Sequence, residues 1–179
     1  MTFFYFDEQL REYEELFQWD QALIYLERLY SKCKCISILL SLVGYSWYYL
    51  IEGPIVSKKY EADTNVMALE IWKKYIDIGS QVASDNPFFN FIAGYTLSLH
   101  GFFINEEYEK RGTLFMENCL ARSDNLMLRN LADNFLQNEK SSQYIPLKDG
   151  KAICAQLFKG ESLLDEYFNE IYSCHLKQI

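Results

Sequence analysis

The residues able to do chemistry are few in this chain, and their spacing limits what they can do. Cys33-Lys34-Cys35 together with Cys174-His175 could in principle supply four zinc ligands. If Cys33 and Cys35 sit within one helix, however, two residues of helical rotation turn the thiols about 200° apart. That geometry is poor for chelation, and the pair reads better as two structural thiols. A Cys–His nucleophile pair has only His100 and His175 to draw on. His100, in Ser-Leu-His-Gly at a helix end, suits a capping role toward the last carbonyls. Paired carboxylates occur at Glu14-Glu15, Glu106-Glu107 and Asp165-Glu166. On amphipathic helices such pairs are ordinarily solvated faces. A di-metal helical site would need Glu-x-x-His motifs on facing helices, and the sequence has none. Nor is there a phosphate-binding Gly-rich loop, a dinucleotide turn or a nucleophile elbow. The expectation is therefore no enzyme, no metal and no cofactor.

The elements that must position these residues are helical. Only three prolines and eight glycines interrupt 179 residues, half of them hydrophobic. So few breakers favour helices over many short strands. Leu10, Tyr13, Leu16 and Phe17 form one stripe of a first helix over 7–18. Asp20 is a plausible N-cap for a second helix, whose face is Ala22, Leu23, Leu26, Leu29 and Tyr30. Gly53-Pro54 ends a third, and 54–64 reads as a loop. Asp63 or Thr64 caps a long fourth helix with a stripe of Val66, Leu69, Trp72, Tyr75, Ile76 and Gly79. Ser84-Asp85-Asn86-Pro87 restarts the chain with a cap and an N-terminal proline. Further helices follow over 88–102, 106–121 and, capped by Asp124, 125–138. A polar loop over 139–149 precedes two short helices near 150–158 and 161–175.

This predicts a single all-α domain over 1–179, an irregular bundle or solenoid-like (tetratricopeptide-like) array of about seven to nine antiparallel helices. The repeat character lies in NPFFNFIAGYTLSLHG followed by NEEYEKRGTLFMENCLA. An Asn-Pro start and an Ala-Gly-x-x-x-Leu packing spot resemble a tetratricopeptide helix pair, although Thr113 stands where a small apolar residue is expected.

The 17 residues from Cys35 to Ile51 carry no charge. As a helix they would reach only about 25 Å at about 1.5 Å per residue, short of the roughly 30 Å of a bilayer core. Ser37, Ser41, Gly44 and Tyr48 recur at helical spacing and form a stripe that lets another helix approach closely. The segment reads as the central helix of a core rather than a membrane span. Trp47, Tyr48 and Tyr49 are either sealed in that core or open to a groove.

The formal net charge is -8. An acidic surface repels phosphate and disfavours nucleic acid as a partner; it suits a basic protein. The acids cluster at the two ends of the chain. Five cysteines, an odd number set among apolar residues, read as free thiols in a reducing compartment. MTFFYFDEQL has no basic start, so it does not read as a signal peptide, and the cytoplasm is the expected location.

In size, acidity and helix pattern the whole chain resembles an all-helical immunity protein of a bacterial contact-dependent growth inhibition system. The resemblance implies a cognate protein toxin, commonly a nuclease with a basic active-site cleft, that the immunity protein binds and covers. Glu12, Glu15, Asp165, Glu166 and Glu170 are the expected charged contacts, and Tyr13, Tyr48 and Tyr167 the expected anchors. Two other readings stay open: a tetratricopeptide-like adaptor gripping a peptide or protein, and an enzyme with an unseen cavity.

Overall fold

The computed structural model describes residues 3–56, 62–136, 152, 157–159 and 161–175, without the side chains of 53–56, 62 and 172–175. The described chain is all-helical. Its α-helices are α1 (Glu8–Glu15), α2 (Trp19–Cys33), α3 (Ile36–Val56), α4 (Ala62–Val82), α5 (Pro87–His100), α6 (Glu106–Arg122), α7 (Leu126–Phe135) and α8 (Leu163–His175), with a 3-10 turn at Gly101–Phe103. Among the described residues no helix is long and apolar enough to cross a membrane. The contacts divide into two compact units. One is Phe4–Ala83, the N-terminal unit; the other is Ser84–Ile179 with residues 1–3, the C-terminal unit.

In the N-terminal unit α3 packs against α2 and α4. Leu39, Leu42, Val43, Tyr45 and Trp47 of α3 are buried, with Leu23 and Leu26 of α2 and Ala68, Trp72 and Ile76 of α4. The α3 helix runs through Gly53-Pro54 to Val56 rather than ending there. Pro54 has no amide to donate to the carbonyl four residues back, and the helix closes two residues later, so the break falls just beyond the expected point. Much of the expected 54–64 loop lies outside the described residues.

The small-residue stripe of α3 admits an extended segment, not a helix. The Ser41 hydroxyl accepts from the Tyr5 amide (2.8 Å) and donates to the Tyr5 carbonyl (3.2 Å), and the Tyr5 amide also reaches the Ser37 carbonyl (3.3 Å). A backbone can come this close only where side chains are small. Trp47 and Tyr49 are sealed in the core, and Tyr48 is half-buried with its ring 5.9 Å from that of Trp19. On α4 Trp72, Tyr75, Ile76 and Gly79 are buried as expected, but Val66 is exposed and Leu69 half-buried, and Ala68 and Ile71 take their places on the inner face.

In the C-terminal unit α5 begins as expected. The Asn86 side chain accepts from the Phe88 and Phe89 amides (both 3.0 Å), and Pro87 fills the first turn. Asn125, not Asp124, caps α7. The aromatic core joins Phe91, Tyr95, Phe135 and Phe168 through edge-to-face and stacked rings, with Phe158 and Phe3 beside them.

The α5–α6 pair is held at backbone distance by glycines. A Cβ on Gly94 would lie 2.9 Å from the Met116 amide nitrogen, and one on Gly112 would lie 2.5 Å from the amide nitrogen and hydroxyl of Ser98. The small residue expected in the second helix is therefore Gly112, and its neighbour Thr113 faces solvent. Alanine is the better helix former by about 0.5–1 kcal/mol, but here a methyl group would push two backbones apart, at a cost of about 1–3 kcal/mol. Gly112→Ala is thus expected to lower the thermal midpoint, while Thr113→Ala leaves it nearly unchanged. Equal midpoints for the two variants would contradict the close approach.

Candidate functional site

Helix α1 and its two ends form the feature built most unlike an ordinary surface. Asp7 caps the helix by accepting from the Leu10 amide (2.9 Å), and it also accepts the hydroxyls of Tyr5 and Tyr25 (both 2.5 Å). Burial alone would raise the Asp7 carboxyl. The hydrogen bonds from Tyr25 and Tyr5 outweigh it and hold the group below the usual carboxylate range. The same contacts, after burial, push the Tyr5 hydroxyl upward. In the last turn of the helix, the buried Glu14 carboxylate accepts the hydroxyl of the buried Tyr45 on α3. The pair Glu14-Glu15 is therefore divided: Glu14 is structural, and Glu15 points to solvent.

The exposed acids Glu8, Glu12 and Glu15 recur at i, i+4 and i+7, so they form one stripe along α1. The stripe leads to Leu16 (55% exposed) and Phe17 (46%). Both were expected on the buried stripe of a helix reaching residue 18. Instead α1 ends at Glu15, and Phe17 turns into the left-handed region at φ 56. The Gln18 amide reaches the Tyr13 carbonyl (2.8 Å) and the Phe17 amide reaches the Glu14 carbonyl (3.1 Å). This is a Schellman closure, whose left-handed position favours glycine. A bulky residue there costs about 1–2 kcal/mol, yet Phe17 leaves much of its ring in water.

The C-terminal unit carries a second aromatic tip. At the 3-10 turn the rings of Phe102 (55% exposed) and Phe103 (47%) lie tilted 4.5 Å apart, and His100 stacks on Phe103 at 5.6 Å. Burial lowers the His100 imidazole below its ordinary value. The Gly101 carbonyl accepts from the Ile104 and Asn105 amides (2.9 and 3.1 Å), which fixes the turn. Asn105 then caps α6 through the Tyr108 amide (3.1 Å), and exposed Glu106, Glu107 and Glu109 follow in its first turn.

The eight residues expected to meet a partner fall in both units. Glu12, Tyr13, Glu15 and Tyr48 belong to the N-terminal one, and Asp165, Glu166, Tyr167 and Glu170 to the C-terminal one. Glu12, Glu15, Glu166 and Glu170 are exposed. Tyr13 is half-buried, its ring 6.0 Å from that of Tyr25, and half-buried Tyr167 shares a hydroxyl contact of 3.3 Å with Tyr95. Asp165 does not serve as a surface charge. It is 5% exposed and closes a capping box at the start of α8, where its amide donates to the Ser162 hydroxyl (3.1 Å). The exposed tip at Leu16-Phe17 was missed because a helical stripe of apolar residues reads as core wherever the helix continues, whereas Phe102-Phe103 fall at the expected turn after α5 and were not singled out.

The Cys33-Lys34-Cys35 pair is also placed differently from expectation. It does not lie within one helix, since α2 ends at Cys33 and α3 starts at Ile36, with Lys34 left-handed at φ 54. The side chains of Cys174 and His175 lie outside the described residues. Among the described residues no group of three or more His, Cys, Asp or Glu side chains could hold a metal ion. Comparison with family models, curated proteins and solved structures finds no match to the chain.

Burial, opposed by the capping hydrogen bonds, pushes Asp165 up to about 6 from 3.8. A carboxyl raised in the fold contributes stability that is full below its unfolded value and lost as pH rises through the folded one. Asp165→Asn should therefore gain in melting temperature relative to the parent chain between pH 4 and pH 7.5. A difference that does not change with pH would contradict the buried, raised carboxyl.

Proposed function

We propose that this chain is a binding protein of the immunity type, which neutralises a cognate toxin domain by covering a basic, nuclease-like cleft. The observation that carries the reading is Phe17: an exposed phenylalanine held in a costly backbone conformation at the end of an acidic stripe. A residue kept where glycine would be more stable, and left in solvent, has its use outside the fold. The acids supply what a phosphate-binding cleft attracts. Glu8, Glu12 and Glu15 would steer a basic partner, and Leu16 with Phe17 would anchor it once water is expelled. The net charge of -8 acts in the same direction at longer range.

The glycine-spaced α5–α6 pair and its Phe102-Phe103 tip support a second reading, a tetratricopeptide-like adaptor for a protein partner. The two differ in what the partner does when alone.

The test is co-expression with the product of the reading frame immediately upstream. That product should arrest growth alone and be silenced by this chain. In the purified pair, the association rate should fall roughly tenfold or more between low and high salt, since exposed charges are screened within about 10 Å at 0.1 M. Glu12→Lys with Glu15→Lys should slow association and leave the melting temperature within about 0.5 kcal/mol of the parent in stability terms. A harmless upstream product, or toxicity that persists, would refute neutralisation. An association rate indifferent to salt would refute the role of the acids.

A further inference from the structure

The corner between α2 and α3 carries a site that the toxin-binding reading does not use. Cys33 and Cys35 are both exposed, in contrast to Cys119, which is buried and pushed up to about 12 by that burial. The left-handed Lys34 reverses the chain between them. As a result the Cys35 amide donates to the Cys33 sulfur (3.2 Å), and the Cys35 sulfur lies 3.7 Å from the Cys33 carbonyl oxygen. The Cys33 side chain beside it raises the Cys35 thiol above its ordinary value. Lys32 and Lys34 flank the pair with positive charge, and the Lys34 ammonium rests 4.8 Å from the centre of the Tyr30 ring. Convergence of this kind is not available to two cysteines two apart inside a continuous helix.

We infer that Cys33 and Cys35 form a dithiol site that closes to a disulfide across Lys34 by exchange with a low-molecular-weight disulfide such as oxidised glutathione. The Cys33 sulfur, which accepts the Cys35 amide, is the attacking atom. As thiolate it breaks the glutathione disulfide, forms a mixed disulfide and releases one glutathione thiolate. Cys35 then gives up its proton to solvent and attacks the Cys33 sulfur. The ring closes and the second glutathione leaves. The protein loses two electrons and two protons, and one oxidised glutathione becomes two reduced ones. The exposed position of both sulfurs lets the attacking disulfide reach them.

The experiment uses the full reduced chain with oxidised glutathione, alkylation of the remaining thiols, and peptide mass mapping. The expected product lacks two hydrogens, has Cys33 and Cys35 both protected from alkylation, and carries no lasting glutathione. Cys35→Ser should instead accumulate one glutathione on Cys33, because the resolving sulfur is gone. Ring closure should be faster in the folded chain than in urea by roughly tenfold or more, since the corner holds the reacting atoms together. Stable glutathione on both cysteines, no reaction, or equal rates in folded and unfolded chain would each overturn the proposal.

Discussion

A buried carboxylate cannot stay where it is without a donor, and the contact of Glu14 with Tyr45 supplies one. A hydrogen bond contributes about 0.5–1.5 kcal/mol net, and a buried polar group left without one costs about 1–3 kcal/mol. This contact therefore fixes α1 on α3 in one rotational setting. The setting is repeated at the other end of the helix by Asp7, which gathers Tyr5, Tyr25 and the Leu10 amide. The segment leading into α1 is fixed as well, by its backbone bonds to Ser41 and Ser37. With one side of α1 held this way, Glu8, Glu12 and Glu15 have only solvent to face. The acidic stripe is a consequence of where Glu14 is buried.

The C-terminal unit is organised by a different constraint, the backbone proximity of α5 and α6. Gly94, Gly101 and Gly112 each face backbone or near-backbone atoms of the opposing segment. Phe102 and Phe103 are presented from a 3-10 turn, and the capped start of α6 follows at once.

The helical class was legible because apolar spacing, caps and the scarcity of prolines all point the same way. Asn86-Pro87 marked the start of α5, and the α3 segment read correctly as buried. Other features depend on events that periodicity does not encode. The stripe at Leu10, Tyr13, Leu16 and Phe17 continues smoothly in sequence, but the chain leaves the helix after Glu15 and exposes its last two members. Gly53-Pro54 has the chemistry of a stop, yet the helix runs to Val56, two residues past the proline. Cys33 and Cys35 diverge on an ideal helix and converge on the real corner because Lys34 adopts a left-handed conformation that lysine rarely favours. Asp165 was counted among the surface acids because nothing in its neighbours signals that the first turn of α8 is buried.

The reading of α1 as a partner-facing element rests on Phe17 being retained against the preference of its own backbone. The most direct measurement is the dissociation constant of Phe17→Gly for the toxin domain proposed as its partner, taken beside its melting temperature. Glycine relieves the left-handed conformation, so the variant should be more stable by about 1 kcal/mol and should bind at least roughly tenfold more weakly for loss of a central aromatic anchor. A variant that is stabilised and binds as tightly as the parent would contradict the assignment of this surface.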